Sequence, residues 1–267
     1  MGRNNKNDRL KIERINEENI NTFGSKMILV DYKSNENVLI YFPEYNWYRP
    51  YTFYQHFKDG NVKCPYEKRF YNVGYIGEGN YKCKENRKQT NAYSYWHGML
   101  KRCYCEYDLK KHPTYINCEV CEEWHNFQNF AKWYEENYYE INDEIMELDK
   151  DILLKGNKIY SPKTCIFVPH RINGLFTKAD KSRGDYPIGV CYHKRDNVLE
   201  VKCSVYKNNK KKRKHLGRFS PSEPFRAFIC YKNFKENYIK QVADEYKDLI
   251  PTELYEAMYK YKVEIND

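Results

Sequence analysis

The middle of the chain reads ELDKDI at Glu147–Ile152, GNKIYSP at Gly156–Pro162 and CIFVPHRIN at Cys165–Asn173, and this stretch decides the fold. The first segment is predicted to be a short strand that ends in acids, followed by a polar loop. A second short strand then leads into a helix that opens with His170 and includes Asn173. This strand, loop, strand and helix form the one part of the sequence that indicates chemistry.

Such an order is typical of ββα metal sites, in which two strands and a helix hold one divalent cation against a phosphate. The chemistry needs a carboxylate on the first strand, a base that activates water, and a helix residue that completes the metal shell. Asp149 stands where the carboxylate belongs, and Asn173 or His170 can supply the helix residue. Lys150 stands in the place of the base, although an ordinary lysine is protonated near neutral pH. An acid-rich β-turn in a structural domain is the other interpretation.

The composition favours a polyanionic partner. The 267 residues include 46 Lys and Arg against 37 Asp and Glu, which gives a formal net charge of +9. Basic surfaces bind nucleic acid because neutralising its phosphates releases condensed counterions, although a basic protein without such a partner has the same composition. The sequence has neither a signal peptide nor an apolar run long enough to span a membrane, so we expect a cytoplasmic protein.

Composition and periodicity predict a multidomain α+β protein with four regions. These are a polar leader at 1–24, a small α+β module at 25–88, a ββα-metal domain with flanking helices at 89–178, and a three-stranded antiparallel sheet with a packed helix at 179–267. Apolar residues at helical spacing predict the two flanking helices: Trp96, Met99, Leu100 and Cys103 in the first, and Phe127, Phe130, Ala131 and Tyr134 in the second.

The last region contains three predicted strands, at 188–192, 199–206 and 215–219, and a helix through about Tyr238 that Ser222 is expected to cap. In the middle strand apolar residues alternate with Glu200, Lys202, Ser204 and Tyr206. One face of the sheet is therefore expected to be covered by the helix and the other to be bare.

Four cysteines are predicted to bind a structural zinc ion. Cys118 and Cys121 have the C-x-x-C spacing of zinc ligands, and Cys103 and Cys165 lie on elements expected to flank them, with Cys105 as a substitute for Cys103. Four thiolates around zinc would fasten the helices to the ββα segment. Buried thiols without a metal are the alternative, because cysteine is often a core residue.

The bare sheet face and a basic turn predicted at 210–214 favour double-stranded DNA as the partner, since a sheet can enter the major groove while lysines bind phosphates. A solvated hairpin tip is the alternative. The residues predicted to bind DNA are Arg183, Lys194, Arg195, Lys202, Ser204, Tyr206, Lys210, Lys211, Lys212, Arg213 and Lys214.

These motifs together resemble phage-encoded HNH endonucleases. The resemblance depends on WxxMxxRCY at 96–104, VCEEW at 120–124, FxxFxxW at 127–133, LDKD at 148–151 and YSP at 160–162. The later motifs YPIGV at 186–190 and LGRF at 216–219, with the helix after them, resemble the AP2-type DNA-binding domain that is often fused to such enzymes. The resemblance covers about residues 91–250.

The resemblance implies metal-dependent hydrolysis of phosphodiester bonds in duplex DNA, with Mg²⁺ or a similar cation, by a phage or mobile-element protein in a bacterial host cell. By position, Asp149 would be the first-strand ligand, Lys150 would replace the histidine and Asn173 would be the last motif residue. The central asparagine falls near Thr164, with Asn157 as a substitute.

Two other functions follow from the same residues. A catalytically degenerate DNA-binding protein would act as a regulator or a recruitment factor. Alternatively, the aromatic module at 25–88 would bind a host protein. If the chain is an enzyme, we expect Asp149 and Asn173 to hold the metal and His170 or another histidine to activate water.

Overall fold

The structure is a computed structural model that describes residues 9–142, 144–177, 185–207, 210–265 and 267. The predicted α+β class is confirmed, since helices and strands are mixed along the chain. The chain divides into two compact units between residues 136 and 137. Among the described residues, no helix has the length and apolar character needed to cross a membrane.

The first unit begins with an antiparallel sheet whose four strands lie in chain order. A helical turn at residues 9–14 precedes it, and a one-turn helix follows. In the module predicted at 25–88 two strands pair as an antiparallel hairpin, and the strand before them comes from the region predicted as a polar leader. The elements are β1 (Glu18–Ile20), β2 (Lys26–Ser34), β3 (Asn37–Phe42), β4 (Trp47–Thr52) and α1 (Tyr54–Lys58).

Helices dominate the rest of this unit. The apolar faces predicted for the two longer helices are confirmed, because Trp96, Met99, Leu100, Phe127 and Phe130 are buried. Three 3₁₀ turns, at Pro43–Tyr45, Pro113–Tyr115 and Glu122–His125, join elements of the unit. The elements are β5 (Lys84–Glu85), β6 (Lys88–Gln89), α2 (Asn91–Tyr104), α3 (Glu106–Lys111), β7 (Glu119–Val120) and α4 (Phe127–Asn137).

The second unit opens with the predicted order of strand, loop, strand and helix, which is confirmed and is called the ββα segment below (residues 146–176). Its outer strands are antiparallel, with Glu147 opposite Val168 and Asp149 opposite Ile166. The elements are β8 (Met146–Asp149), β9 (Ile159–Tyr160), β10 (Ile166–Pro169) and α5 (His170–Phe176).

A three-stranded antiparallel sheet follows, with β12 in the centre. The predicted alternation is confirmed, since Leu199, Val201 and Cys203 are buried under a long helix. The elements are β11 (Val190–His193), β12 (Val198–Lys207), β13 (Lys210–Phe219), α6 (Pro224–Glu245) and α7 (Thr252–Lys260).

Two local predictions were wrong. Residues 210–214 form the first half of β13 and not a turn, because β12 and β13 pair along their whole length and alternate basic side chains leave the strand on opposite sides. Ser222 does not cap α6. The helix begins at Pro224 with Glu223 as its N-cap residue. Proline suits the first helical position because its missing N–H needs no partner there.

The long helix α6 joins the sheet and the ββα segment into one unit. Its first half, including Phe228 and Tyr231, packs on the sheet, whereas Ile239 and Val242 lie in one core with Ile172 and other residues of the ββα segment. The region predicted as a single ββα-metal domain at 89–178 therefore spans the division between the units. The sequence pattern did not show that α6 contributes buried residues to both of these cores.

Replacing Gly189 with alanine should destabilise the second unit. Gly189 has φ +79°, and a Cβ there would lie 2.0 Å from the Tyr231 ring of α6. Backbone strain and overpacking together should lower the free energy of unfolding by about 1–3 kcal/mol, measured by chemical denaturation. The control is Gly98→Ala in α2, where no atom lies within 4 Å of the added Cβ. Equal stability of the Gly189 variant and the native chain would contradict the close packing of Tyr231 against Gly189.

Candidate functional site

Three polar side chains meet where β8 faces α5. The Nδ1 atom of His170 lies 2.5 Å from Oε1 of Glu147, and the amide of Asn173 donates to the other carboxylate oxygen. His170 is the most exposed of these groups, with 62% of its side chain accessible, against 33% for Glu147. A carboxylate thus holds an imidazole and an amide side by side at the surface.

Local structure places these groups on one side of the ββα segment. In β8 Met146 and Leu148 are buried while Glu147 and Asp149 are partly exposed, as strand alternation requires. In α5 His170 and Asn173 are three residues apart, and such residues share one helix face.

Asp149 lies two residues along the same strand. Its Oδ1 atom accepts the backbone N–H groups of Asp151 and Ile152, at 2.8 Å and 2.7 Å, and so caps the turn after β8. Burial, together with the nearby Asp151 charge, raises the pKa of Asp149 to about 6. A cation beside this carboxylate would lower that pKa again, because opposite charges favour the ionised form.

Replacing Asp149 with asparagine should stabilise the protein at neutral pH. The folded-state pKa is raised, so the stabilising contribution of this group is complete below its unfolded pKa near 3.8 and is lost as the pH rises through about 6. Asparagine keeps the Oδ1 acceptor but has no charge to bury. We expect a gain of about 1–3 kcal/mol at about pH 7.5 and almost none at about pH 4.

Urea denaturation at the two pH values, with EDTA present, measures this difference. Asp248→Asn, at an exposed position, is the control. An Asp149→Asn variant that is less stable than the native chain at both pH values would contradict the raised pKa.

Lys150 contacts Asp151 and Tyr160. Only 9% of the Lys150 side chain is exposed. Its Nζ atom lies 3.5 Å from Oδ1 of Asp151 and 5.8 Å from the centre of the Tyr160 ring. This ion pair gives Lys150 a structural partner in the loop after β8. The predicted place of the general base is thus occupied by a lysine that neutralises an acid.

The two residues considered for the central asparagine also have structural partners. The Asn157 amide donates to the backbone carbonyls of Lys150 and Ile159, both at 2.7 Å. The Thr164 hydroxyl donates to the Ile159 carbonyl at 2.9 Å and lies 2.8 Å from the Ser161 hydroxyl. Both side chains stabilise the loop between β8 and β10.

The structure therefore brings together two of the four predicted catalytic residues, His170 and Asn173, and adds Glu147, which sequence analysis did not select. The signal for Glu147 was its position two residues before Asp149, since such residues share one face of a strand. The position of α5 against β8 is needed to distinguish Glu147 from other residues on that face of the strand.

The zinc prediction stays a prediction. Cys103, Cys118 and Cys121 belong to the first unit and Cys165 to the second. All ten cysteines lie among the described residues, and none of them forms a disulfide there. Within the described part of the chain, no three His, Cys, Asp or Glu side chains are grouped as a metal site.

A second polar surface covers the side of the sheet that faces away from α6. The strand register pairs Lys202 with His215 and Glu200 with Arg218 on this side. The side chains of Lys202, His215 and Arg218 are 40%, 47% and 57% exposed. We call this surface the basic face; its members are Lys202, Ser204, Lys211, Arg213, His215 and Arg218.

Two acids order the cations of the basic face. Glu200 lies 2.5 Å from Lys202 and 3.4 Å from His215, and its hydrogen bond with Lys202 lowers the pKa of Glu200. Asp196, in the turn after β11, lies 3.6 Å from Arg218 and 3.3 Å from Arg195. Cations outnumber acids, so the face remains positive. Arg218 and His215 were missed as binding residues because they lie on either side of the irregularity in β13.

The other residues predicted to bind DNA lie at several places. Lys194 is exposed in the turn after β11, and Lys210 is exposed at the start of β13. Lys214 lies on the α6 side of the sheet, with Nζ 4.7 Å from the centre of the Phe234 ring. The Tyr206 hydroxyl lies 2.8 Å from the point where Gly174 of α5 would carry a Cβ. Arg183 is outside the described residues.

Lys212, also predicted to bind duplex DNA, lies on the same side of the sheet as Lys214. Both side chains leave β13 on the α6 side, because paired residues of an antiparallel sheet share a face and Lys214 pairs with the buried Cys203.

In the first unit, exposed aromatic side chains lie on and beside β4. Tyr48, Tyr51 and Phe53 are 50%, 77% and 47% exposed. Binding of a host protein by the 25–88 module stays a prediction.

Comparison of this chain with protein-family models, with curated proteins and with solved structures finds no match.

Proposed function

We propose that the chain is an HNH-type endonuclease that hydrolyses phosphodiester bonds in duplex DNA with Mg²⁺ or a similar divalent cation, and that its C-terminal sheet is an AP2-like DNA-binding domain. The observation that carries the proposal is the meeting of Glu147, His170 and Asn173 on one side of the ββα segment. In a phage-borne enzyme this activity would act in the cytoplasm of the bacterial host.

His170 is the proposed general base. When its Nδ1–H donates to Glu147, the Nε2 atom is left as the proton acceptor. A carboxylate on the first nitrogen orients the ring and stabilises the imidazolium that forms when the second nitrogen takes a proton from water. Glu147 is therefore a positioning residue, because it acts through His170 and Asn173.

Asp149 and Asn173 are the proposed ligands of the divalent cation. The Asp149 carboxylate is destabilised by burial and by the Asp151 charge, which a cation would relieve. Oxygen ligands suit Mg²⁺, which commonly keeps several waters and takes one or two carboxylates together with substrate phosphates. When bound, the cation would stabilise the charge that develops on the phosphate.

The basic face is the proposed duplex-binding surface. Its cations can bind phosphates, and Ser204 between them can reach base edges or the backbone. Glu200 and Asp196 keep Lys202 and Arg218 ordered, which lowers the entropy cost of binding.

A DNA-binding protein that does not cut DNA, acting as a regulator or a recruitment factor, is the second candidate. The observation that favours it is Lys150, which occupies the expected place of the base and is paired with Asp151. In that case the ββα segment would serve as a scaffold, and the basic face would carry the whole function.

A supercoiled-plasmid assay with Mg²⁺ or Mn²⁺ separates the two candidates. Native protein and Asp149→Ala are compared at equal duplex binding, which is measured on the same preparations. Metal-dependent nicking that the variant loses supports the enzyme. Duplex binding without nicking by the native chain, across both metals, supports the second candidate.

A further inference from the structure

A cleft of about 580 Å³ lies between β13 and α6, on the side of the sheet opposite to the basic face. Lys212 and Lys214 stand on its β13 side, and Asn237 and Gln241 stand on its α6 side. None of the residues that line the cleft is acidic. The charge of the cleft therefore selects an anion.

Aromatic rings form the floor of the cleft. The rings of Phe234 and Tyr238 are stacked, with centroids 6.2 Å apart and planes at 14°. Tyr238 is buried and its hydroxyl oxygen accepts the backbone N–H of Tyr206 at 2.7 Å, so the ring is held in place. Flat apolar surfaces of this kind stack on bases without reading their sequence.

We propose that this cleft binds one nucleotide of a single-stranded DNA segment. Lys212 and Lys214 would bind its phosphate, and the base would take the place over the Phe234 ring that the Lys214 ammonium holds in this structure, 4.7 Å from the ring centre. Cations on one wall, amides on the other and an aromatic floor match the phosphate, the base edges and the base plane of a nucleotide. The proposal rests on the proposed function only in taking DNA as the ligand.

The cleft would give the protein a place for an unpaired strand beside the ββα segment. Tyr238 joins the two, since it lines the cleft and belongs to the core that includes Ile172 of α5. The basic face and the cleft would then bind different forms of the same DNA.

Fluorescence anisotropy with a short oligothymidine probe tests the proposal. Lys212→Gln/Lys214→Gln should weaken binding of the probe about tenfold at low salt, because two phosphate contacts are lost. Phe234→Leu should weaken it about fivefold through lost stacking. Asn237→Ala and Gln241→Ala replace exposed side chains of the cleft. If Phe234→Leu fails to fold, weaker binding of the probe by these two variants tests the α6 side of the cleft instead.

Two charge-matched pairs provide controls. Lys202→Gln/Arg218→Gln, on the basic face, should weaken a hairpin duplex more than the oligothymidine, and Lys247→Gln/Lys260→Gln should affect neither. The proposal is overturned if the probe does not bind, if all three pairs weaken it equally, or if a saturating duplex displaces it completely. Probe binding without duplex binding would instead contradict the proposed function and leave the cleft assignment standing.

Discussion

Replacing Glu147 with glutamine is expected to reduce plasmid nicking by about 10²–10³-fold, because the change removes the charged carboxylate that orients His170 and fixes its tautomer. Glutamine is close in size to glutamate, so the surrounding packing is kept. It has one acceptor oxygen in place of two, so it cannot present separate oxygens to His170 and Asn173 as the carboxylate does. The lost charge would also leave the imidazolium without a counter-ion.

Duplex binding and thermal stability should stay at the native level, because Glu147 is partly exposed and lies outside the basic face. Glu253→Gln, at an exposed position of α7, is the matched control and should nick normally. The pH profile of residual nicking should also change, since the base has lost its orienting group. Native nicking rates in Glu147→Gln would remove this residue from the mechanism.

Neutralising the basic face is expected to have the second large effect. Lys202→Gln/Arg218→Gln should weaken duplex binding about 100-fold at low salt, since each cation neutralises a phosphate and releases counterions. The slope of log affinity against log salt should fall by about 1.8, at about 0.9 for each lost contact.

The charge-matched pair Lys247→Gln/Lys260→Gln lowers the net charge equally and should change affinity less than threefold. A general loss of charge would give the same result for both pairs. If the two pairs behave alike, the basic face is not the duplex-binding surface.

The ββα segment was predictable because its signals are local. Alternating residues mark β8, the polar loop follows, and His170 opens α5, so each element is read from its neighbours along the chain. The same holds for β12, whose alternation continues through Cys203.

The candidate site was only partly predictable, because its geometry depends on contacts between distant segments. Glu147 and Asn173 are 26 residues apart, and no spacing rule joins them. The sides taken by Lys212 and Lys214 depend on the register of β12 and β13, which includes an irregularity between Val201 and Lys202. A one-residue change of register moves every side chain to the other face.

The boundary between the two units was not predicted from the sequence, and the reason is physical. The helix α6 was expected to end near Tyr238, but it continues to Glu245. The extra turns carry Val242 and Ala243 into the core of the ββα segment. Burial of that kind depends on tertiary packing, which overrides a boundary drawn from composition.

Nicking by His170→Gly, with and without added imidazole, tests the central claim most directly. We expect the variant to bind the plasmid but not to nick it in Mn²⁺. Imidazole should restore part of the activity in this variant but not in Asp149→Ala, which would lack a metal ligand. Nicking by His170→Gly at the native rate would contradict a base role for His170, and a native protein that binds the plasmid in Mn²⁺ and leaves it intact would contradict the endonuclease.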